Sequence, residues 1–186
     1  MGVRAMRADA VASITRILDA ARRVFATGDG SGTLNKIAGE AGVGIATLYR
    51  HFPNRQVLAR AVYERVFAAE IEPLLARVEA GDASHPTLLD VAERIVEVAR
   101  REKGLVASLG NLGDATAELL SGHAAAFDLL VARGRAAGHL RADLTGEDVP
   151  HLFAMFASAG GVLSVDRQTR RRYLGLLLDG LRPQTV

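Results

Sequence analysis

Tyr49, Arg50 and His51 stand side by side in the stretch GVGIATLYRHFPNR, residues 42–55, which Asn54 and Arg55 close. A phenol, two guanidinium groups and an imidazole so close together form a set of hydrogen-bond donors suited to phosphate oxygens. If the stretch is helical, turning Leu48 and Phe52 inward at a spacing of four leaves Ile45, Ala46, Thr47, Tyr49, Arg50 and His51 outside. A further helix starting near Asn54 would add backbone N–H groups and a partial positive charge to the same surface. The chemistry is that of gripping a nucleic-acid backbone.

Such a face needs rigid support, and the preceding residues supply it. Thr33 is placed to cap a helix over Leu34–Ala41, its hydroxyl accepting from a backbone N–H of the first turn. Lys36 stands where a full capping box would have Glu or Gln. Ala38 is small where two helices would touch, Gly42 permits a left-handed turn, and Val43 and Leu48 form an apolar plug, the spacing of a helix-turn-helix over about residues 33–52. Upstream, Ile14, Leu18, Ala21 and Phe25 mark one face of an amphipathic helix from Ala10 to Ala26, followed by the run GDGSG. A phosphate-cradling glycine loop would follow a strand, whereas this run follows a helix, so it reads as a connector.

Charge is distributed to match. Residues 1–60 hold 9 Lys and Arg against 4 Asp and Glu, a net of +5, while residues 61–186 hold 14 against 17, a net of −3. A basic head that binds polyanions joined to a mildly acidic body is the organisation this split suggests.

The run TLNKIAGEAGVGIATLYRHFPNRQVLARAVYERV resembles the DNA-binding segment of the tetracycline-repressor (TetR) family of bacterial transcriptional regulators. With the first helix, the resemblance covers roughly residues 10–60; beyond it, only the helical layout is shared. It implies that Leu34–Ala41 supports, that Gly44–His51 enters the major groove, that Tyr49 and His51 hold phosphates, and that Thr33 and Arg55 hold the DNA backbone. Two features depart from the family pattern: Gly44, Ile45 and Ala46 replace the usual polar or basic residues at the start of the recognition helix, and no aromatic follows the glycine after the first helix. The first departure is compatible with reading DNA. Gly44 and Ala46 let the helix backbone sit close to the groove floor, Ile45 and Ala46 suit thymine methyls, and Thr47 and Arg50 remain for polar contacts.

The expected fold is all-α, with a three-helix DNA-binding domain over residues 1–58 and a helical effector-binding and dimerisation domain over residues 59–186. A long helix from about Asn54 to Glu79 would link them, packed through Val57, Ala61 and Tyr63–Val66, with Pro73 kinking or dividing it. A stripe through Leu88, Val91, Ile95 and Val98, a glycine-broken stretch from Lys103 to Ala115 and a helix from Asp114 to Ala137 follow. The glycine-broken stretch fits either a cavity wall or a close helix contact. Phe67, Leu105, Leu109, Asn111, His123, Phe127 and Phe153 are the candidate ligand-binding residues. Small residues Ala154, Ala157, Ser158 and Gly161 and the stripe Leu174, Leu177, Leu178 and Leu181 are the candidate dimer face, which intramolecular packing would also explain.

Other functions find little support. With no Cys, a disulfide framework, a thiolate metal site and a catalytic thiol are excluded. The five His, at 51, 85, 123, 139 and 151, lack metal-ligand spacing, no Ser lies in a nucleophile elbow, and no carboxylates pair convincingly. Neither a catalytic residue, a metal nor a cofactor is expected. No apolar run reaches the roughly 20 residues of a membrane span, and no signal-peptide core is visible, so the sequence reads as a soluble cytoplasmic protein. The expected partners are a double-stranded palindromic operator, a second copy of the chain and a small apolar effector that releases a repressor from DNA. The alternatives are a helical protein-interaction adaptor without DNA binding and, more remotely, an enzyme.

Overall fold

The computed structural model describes residues 2–26, 33–109, 112–158 and 165–183. Among them the chain forms helices α1 (Gly2–Ala26), α2 (Leu34–Ala41), α3 (Ile45–His51), α4 (Arg55–Glu70), α5 (Glu72–Glu79), α6 (His85–Arg101), α7 (Lys103–Ala107), α8 (Leu112–Ser121), α9 (Ala124–Ala136), α10 (Asp148–Ser158) and α11 (Arg167–Gly180), with no strand. Two compact units result: Met1–Arg65 with Glu102–Gly110, and Val66–Arg101 with Asn111–Val186.

The first unit is built on α1. Leu18, Ala21 and Phe25 are buried as their spacing predicts, joined by Ile17, Ala20 and Val24, while Ile14 stays half-exposed. This face packs on α2, where Ile37, Ala38 and Ala41 are buried, and Leu48 of α3 and Leu58, Ala59 and Val62 of α4 are buried in the same unit. Each large side chain so enclosed contributes about 1.5–3 kcal/mol. Val57, expected on the packed side of α4, is 42% exposed; the inward face instead runs through Leu58 and Val62, one turn apart. The α1 backbone is already helical from Gly2, eight residues before the amphipathic pattern begins. Leu105 and Val106 of α7 are fully enclosed in this unit, and Glu102 beside them pairs with Arg22.

Pro73 divides the expected long helix. Ile71 N–H still donates to the Phe67 carbonyl at 2.8 Å, but Pro73 has no N–H for the next turn, so α4 ends at Glu70 and α5 restarts with proline in its first turn. The single helix expected from Asp114 to Ala137 is likewise two. At Ser121–Gly122–His123, residues with little helical preference, the ladder tightens: His123 N–H donates to Leu120 O at 2.9 Å, and α9 begins at Ala124.

The second unit is organised around α6. Leu88, Val91, Ile95 and Val98 are buried along the predicted stripe, and α5, α10 and α11 pack against the helix. Its polar edge is bound as well. Glu93 takes hydrogen bonds from Arg167 and Arg171, and Glu97 one from Arg170, which is itself 4% exposed. Burial alone would raise the Glu93 pKa, but the two arginines outweigh it and hold the carboxyl below its ordinary value. Burial also pushes the Tyr63 phenol in the first unit well up. Gly134 admits Leu140 so closely that an added Cβ would lie 2.5 Å from the leucine Cδ1. No described helix is long and apolar enough to cross a membrane.

Candidate nucleic-acid interface

The helix-turn-helix is assembled by backbone hydrogen bonds at its caps. Thr33 is extended (φ −79°, ψ 154°) and its Oγ1 accepts from Lys36 N–H at 3.2 Å, starting α2 as its position predicts. Gly42 ends α2 in the left-handed region (φ 63°, ψ 37°), and the Val43 N–H donates back to Ala38 O at 3.1 Å. That pair of features closes the helix with a left-handed C-cap. Gly44 is extended, and its carbonyl accepts from Thr47 and Leu48 N–H at 2.9 and 3.1 Å, launching α3 two residues after the turn.

In α3 only Leu48 is buried, and Phe52 at 7% exposure ends the helix by donating to Leu48 O at 2.8 Å. Ile45, Ala46, Tyr49 and Arg50 are exposed, Tyr49 by 51%, while Thr47 and His51 are half-buried. Six residues of the predicted face are therefore carried by one short helix on a fixed plug. The Nε2 of His51 is enclosed and makes no hydrogen bond among the described residues, so that nitrogen does not share the open face of Tyr49 and Arg50. Arg50 and His51 occupy the last turn of α3, where positive charge is favoured by the helix dipole.

Asn54 starts α4 through its Oδ1, which accepts from Val57 N–H at 2.8 Å. Arg55 is the first helical residue, a position where a cation opposes the helix dipole by about 0.3–1 kcal/mol. Its guanidinium carbon lies 4.6 Å from the centre of the Phe25 ring, an attraction of comparable size, about 0.5–1 kcal/mol. Sequence reasoning placed Phe25 in the core and Arg55 on DNA without seeing that they meet, because they are thirty positions apart.

The second unit contains a cavity of about 60 Å³ between α6, α9, α10 and α11, and the described residues that line it all carry aliphatic or aromatic side chains. Of the candidate ligand residues, Phe127 and Phe153 line it. Phe67 and His123 stack with ring centres 3.5 Å apart, and Phe127 meets Phe67 edge-on at 6.4 Å. Leu105 and Leu109 belong to the first unit, and Asn111 lies outside the described residues. Leu174, Leu177, Leu178 and Leu181, read as a stripe for a partner, line this cavity, with Leu174 and Leu178 buried in the chain's own core. Ala154 is half-buried; Gly161 and the side chains of Ala157 and Ser158 lie outside the described residues. On the same two helices Met155, Tyr173 and Leu176 are the exposed large apolar residues, Met155 by 64% and Leu176 by 59%. No group of three or more metal-binding side chains forms among the described residues.

A helix-turn-helix whose second helix is turned outward, joined to an all-helical body, defines a class of DNA-binding regulators, and comparison with known proteins narrows it. Residues 17–62 match the family described as bacterial regulatory proteins, tetR family, and residues 83–183 match the C-terminal domain of SbtR-like transcriptional regulators. The chain is 31% identical to a TetR transcription regulatory protein from Mycobacterium vanbaalenii, over 95% of this chain and 99% of that one, with a TM-score of 0.60. It is 29% identical to a TetR transcriptional regulator from Streptomyces coelicolor, over 92% and 99%, with a TM-score of 0.50. FadR from Bacillus subtilis, solved in complex with stearoyl-CoA, shares the fold at 19% identity and a TM-score of 0.63, over 88% and 96% of the two chains. No curated protein matches the chain. The chain belongs to the TetR family and is a transcriptional regulator.

Proposed function

We propose that this regulator is a homodimeric repressor that holds a palindromic operator and is released by a small apolar effector. The observation that carries the reading is the open face of α3, where Tyr49 and Arg50 project from a helix locked below by Leu48 and Phe52. We assign residues 1–58 to DNA binding, with Thr33, Tyr49, His51 and Arg55 positioning the backbone and Gly44, Ile45, Ala46, Thr47 and Arg50 facing the bases. Residues 59–186 take effector binding and dimerisation.

The body cavity supports an apolar effector. Burying a polar group there without a partner would cost roughly 2–7 kcal/mol, and every described lining side chain is apolar. Its volume of about 60 Å³ is well below that of a drug-sized ligand site, so binding requires the walls to move. That requirement supplies the differential affinity a release mechanism needs: the effector favours the state in which the cavity is wide. FadR is recorded with stearoyl-CoA; the absence of any charged residue among the described lining residues of this cavity favours a hydrocarbon group over a charged headgroup inside it. For dimerisation, the inward turn of Leu174 and Leu178 shifts the proposed face to Met155, Tyr173 and Leu176.

The test is fluorescence anisotropy of a selected duplex titrated with full-length protein, with and without a panel of apolar compounds. Release of DNA by a compound that binds the free dimer more tightly than the DNA-bound dimer supports the mechanism. Equal binding of such compounds to both states contradicts it.

A further inference from the structure

Gly134 is buried in α9, and the place where its Cβ would stand is taken by Leu140. A Cβ built there lies 2.5 Å from Leu140 Cδ1 and 2.9 Å from Cγ, both under the 3.0 Å that real Cβ atoms keep, while Leu88 Cδ1 at 3.5 Å is an ordinary contact. The leucine backbone is tied on two sides. Gly138 turns the chain back after α9 with φ 74°, so that the N–H groups of His139 and Leu140 both donate to the Gly134 carbonyl, at 2.9 and 3.2 Å. The next N–H, that of Arg141, donates to Leu181 O beyond the end of α11 at 2.7 Å. What can yield to a larger residue at position 134 is therefore the Leu140 side chain.

That side chain is 4% exposed and, with Leu88, lines the apolar cavity, whereas Gly134 is not among the described residues lining it. Leu140 also borders an open depression beside Arg135 and Pro183. Turning outward would return hydrocarbon to water, and turning inward would fill the cavity, so the inward turn is favoured. We infer that Gly134 is a specificity-determining residue that sets the size of the effector: by offering Leu140 a seat against the α9 backbone, it keeps that side chain out of the cavity. This rests on the effector reading above. In a cavity of about 60 Å³, a methyl group moved inward removes much of the room, and a packed interior does not absorb the change freely.

The test is a double-mutant cycle on full-length protein with G134A, L140A and G134A/L140A, titrated calorimetrically with two neutral apolar probes, benzene and n-butylbenzene. The readout is the ratio of the two affinities. G134A is expected to shift the ratio against n-butylbenzene by about tenfold, the size of a one-methylene change in an apolar pocket, and L140A to shift it about as far the other way. In the L140A background, G134A should leave the ratio unchanged, because the side chain it displaces is gone. A folded G134A protein with the wild-type ratio would overturn the inference, as would a G134A shift that persists in the L140A background or an L140A protein with the wild-type ratio. Should alanine at position 134 alone prevent folding, G134A/L140A is expected to fold and to share the L140A ratio. A double variant that fails to fold where L140A folds would place the collision elsewhere and overturn the inference. A folded wild-type protein that binds neither probe would instead remove the effector-cavity reading, and the inference with it.

Discussion

Arg22 and Glu102 lie eighty positions apart in the chain, yet the guanidinium of one reaches Oε1 of the other at 2.6 and 3.1 Å through two nitrogens. Glu102 is 3% exposed. It directly follows Arg101, the last residue of α6, and α6 forms one wall of the apolar cavity.

Glu102→Gln should therefore lower stability. Losing a charge-assisted, largely buried hydrogen-bond acceptor costs about 1–3 kcal/mol, readable as a lower urea midpoint. A variant with unchanged stability would show that the pair carries no load.

The left-handed turn gives a cleaner stability prediction. Gly42 has φ 63°, and an added Cβ would meet nothing within 4 Å. Gly42→Ala therefore costs backbone strain alone, about 1–2 kcal/mol, and Gly42→Asn should cost less, since asparagine tolerates this region. Denaturant unfolding checks both. A neutral alanine variant would mean that the turn relaxes to another conformation.

Asp82 supplies the pH prediction. Its carboxylate accepts from Thr87, Ser84 and Arg77, each at 2.8 Å, and these bonds, that from Thr87 foremost, lower its pKa to about 2. The folded value lies below the unfolded one, so the ionised group stabilises the fold above about pH 4 and loses that effect as pH falls through about 2. Asp82→Asn should lower Tm at neutral pH, and its gap from wild type should narrow from about pH 4 downward as the carboxyl protonates. A gap of constant size across that window would contradict the assignment.

The residues of α3 should separate by role. Tyr49→Phe is expected to weaken binding to all duplexes by a similar factor, as loss of a phosphate contact does, whereas Arg50→Ala or Thr47→Ala should relax preference at particular base pairs by about 1–3 kcal/mol. Affinity measured across single-base operator variants distinguishes the two patterns. A changed preference with unchanged overall affinity in Tyr49→Phe would reverse the roles.

Much of the DNA-binding unit was legible because its signals are local. Thr33 and Gly42 fix the two ends of α2 through their own backbone conformations, and Leu48 and Phe52 fix which side of α3 is inward. What escaped the sequence is what depends on distant partners. Phe25 beneath Arg55, and Leu105 and Val106 completing the core around α1, require the tertiary fold to be known. The leucines of α11 show the same limit. Their stripe is visible, but a stripe does not say whether its partner is α6 of the same chain or a helix of another, and Leu174 and Leu178 are taken up within the chain. The break at Gly122 was missed because a glycine inside a helical pattern is often tolerated, and here the ladder tightens beside the stacked Phe67 and His123.

On the proposed function, α3 reads a two-fold symmetric operator. Its most direct test is selection of bound sequences from a random duplex pool with purified full-length protein at about 0.15 M salt, near physiological ionic strength. A palindromic consensus whose half-sites lie about one helical turn, or a multiple of it, apart is the predicted result. Recovery of sequences no different from the starting pool, by protein shown to be folded and free of bound effector, would contradict it.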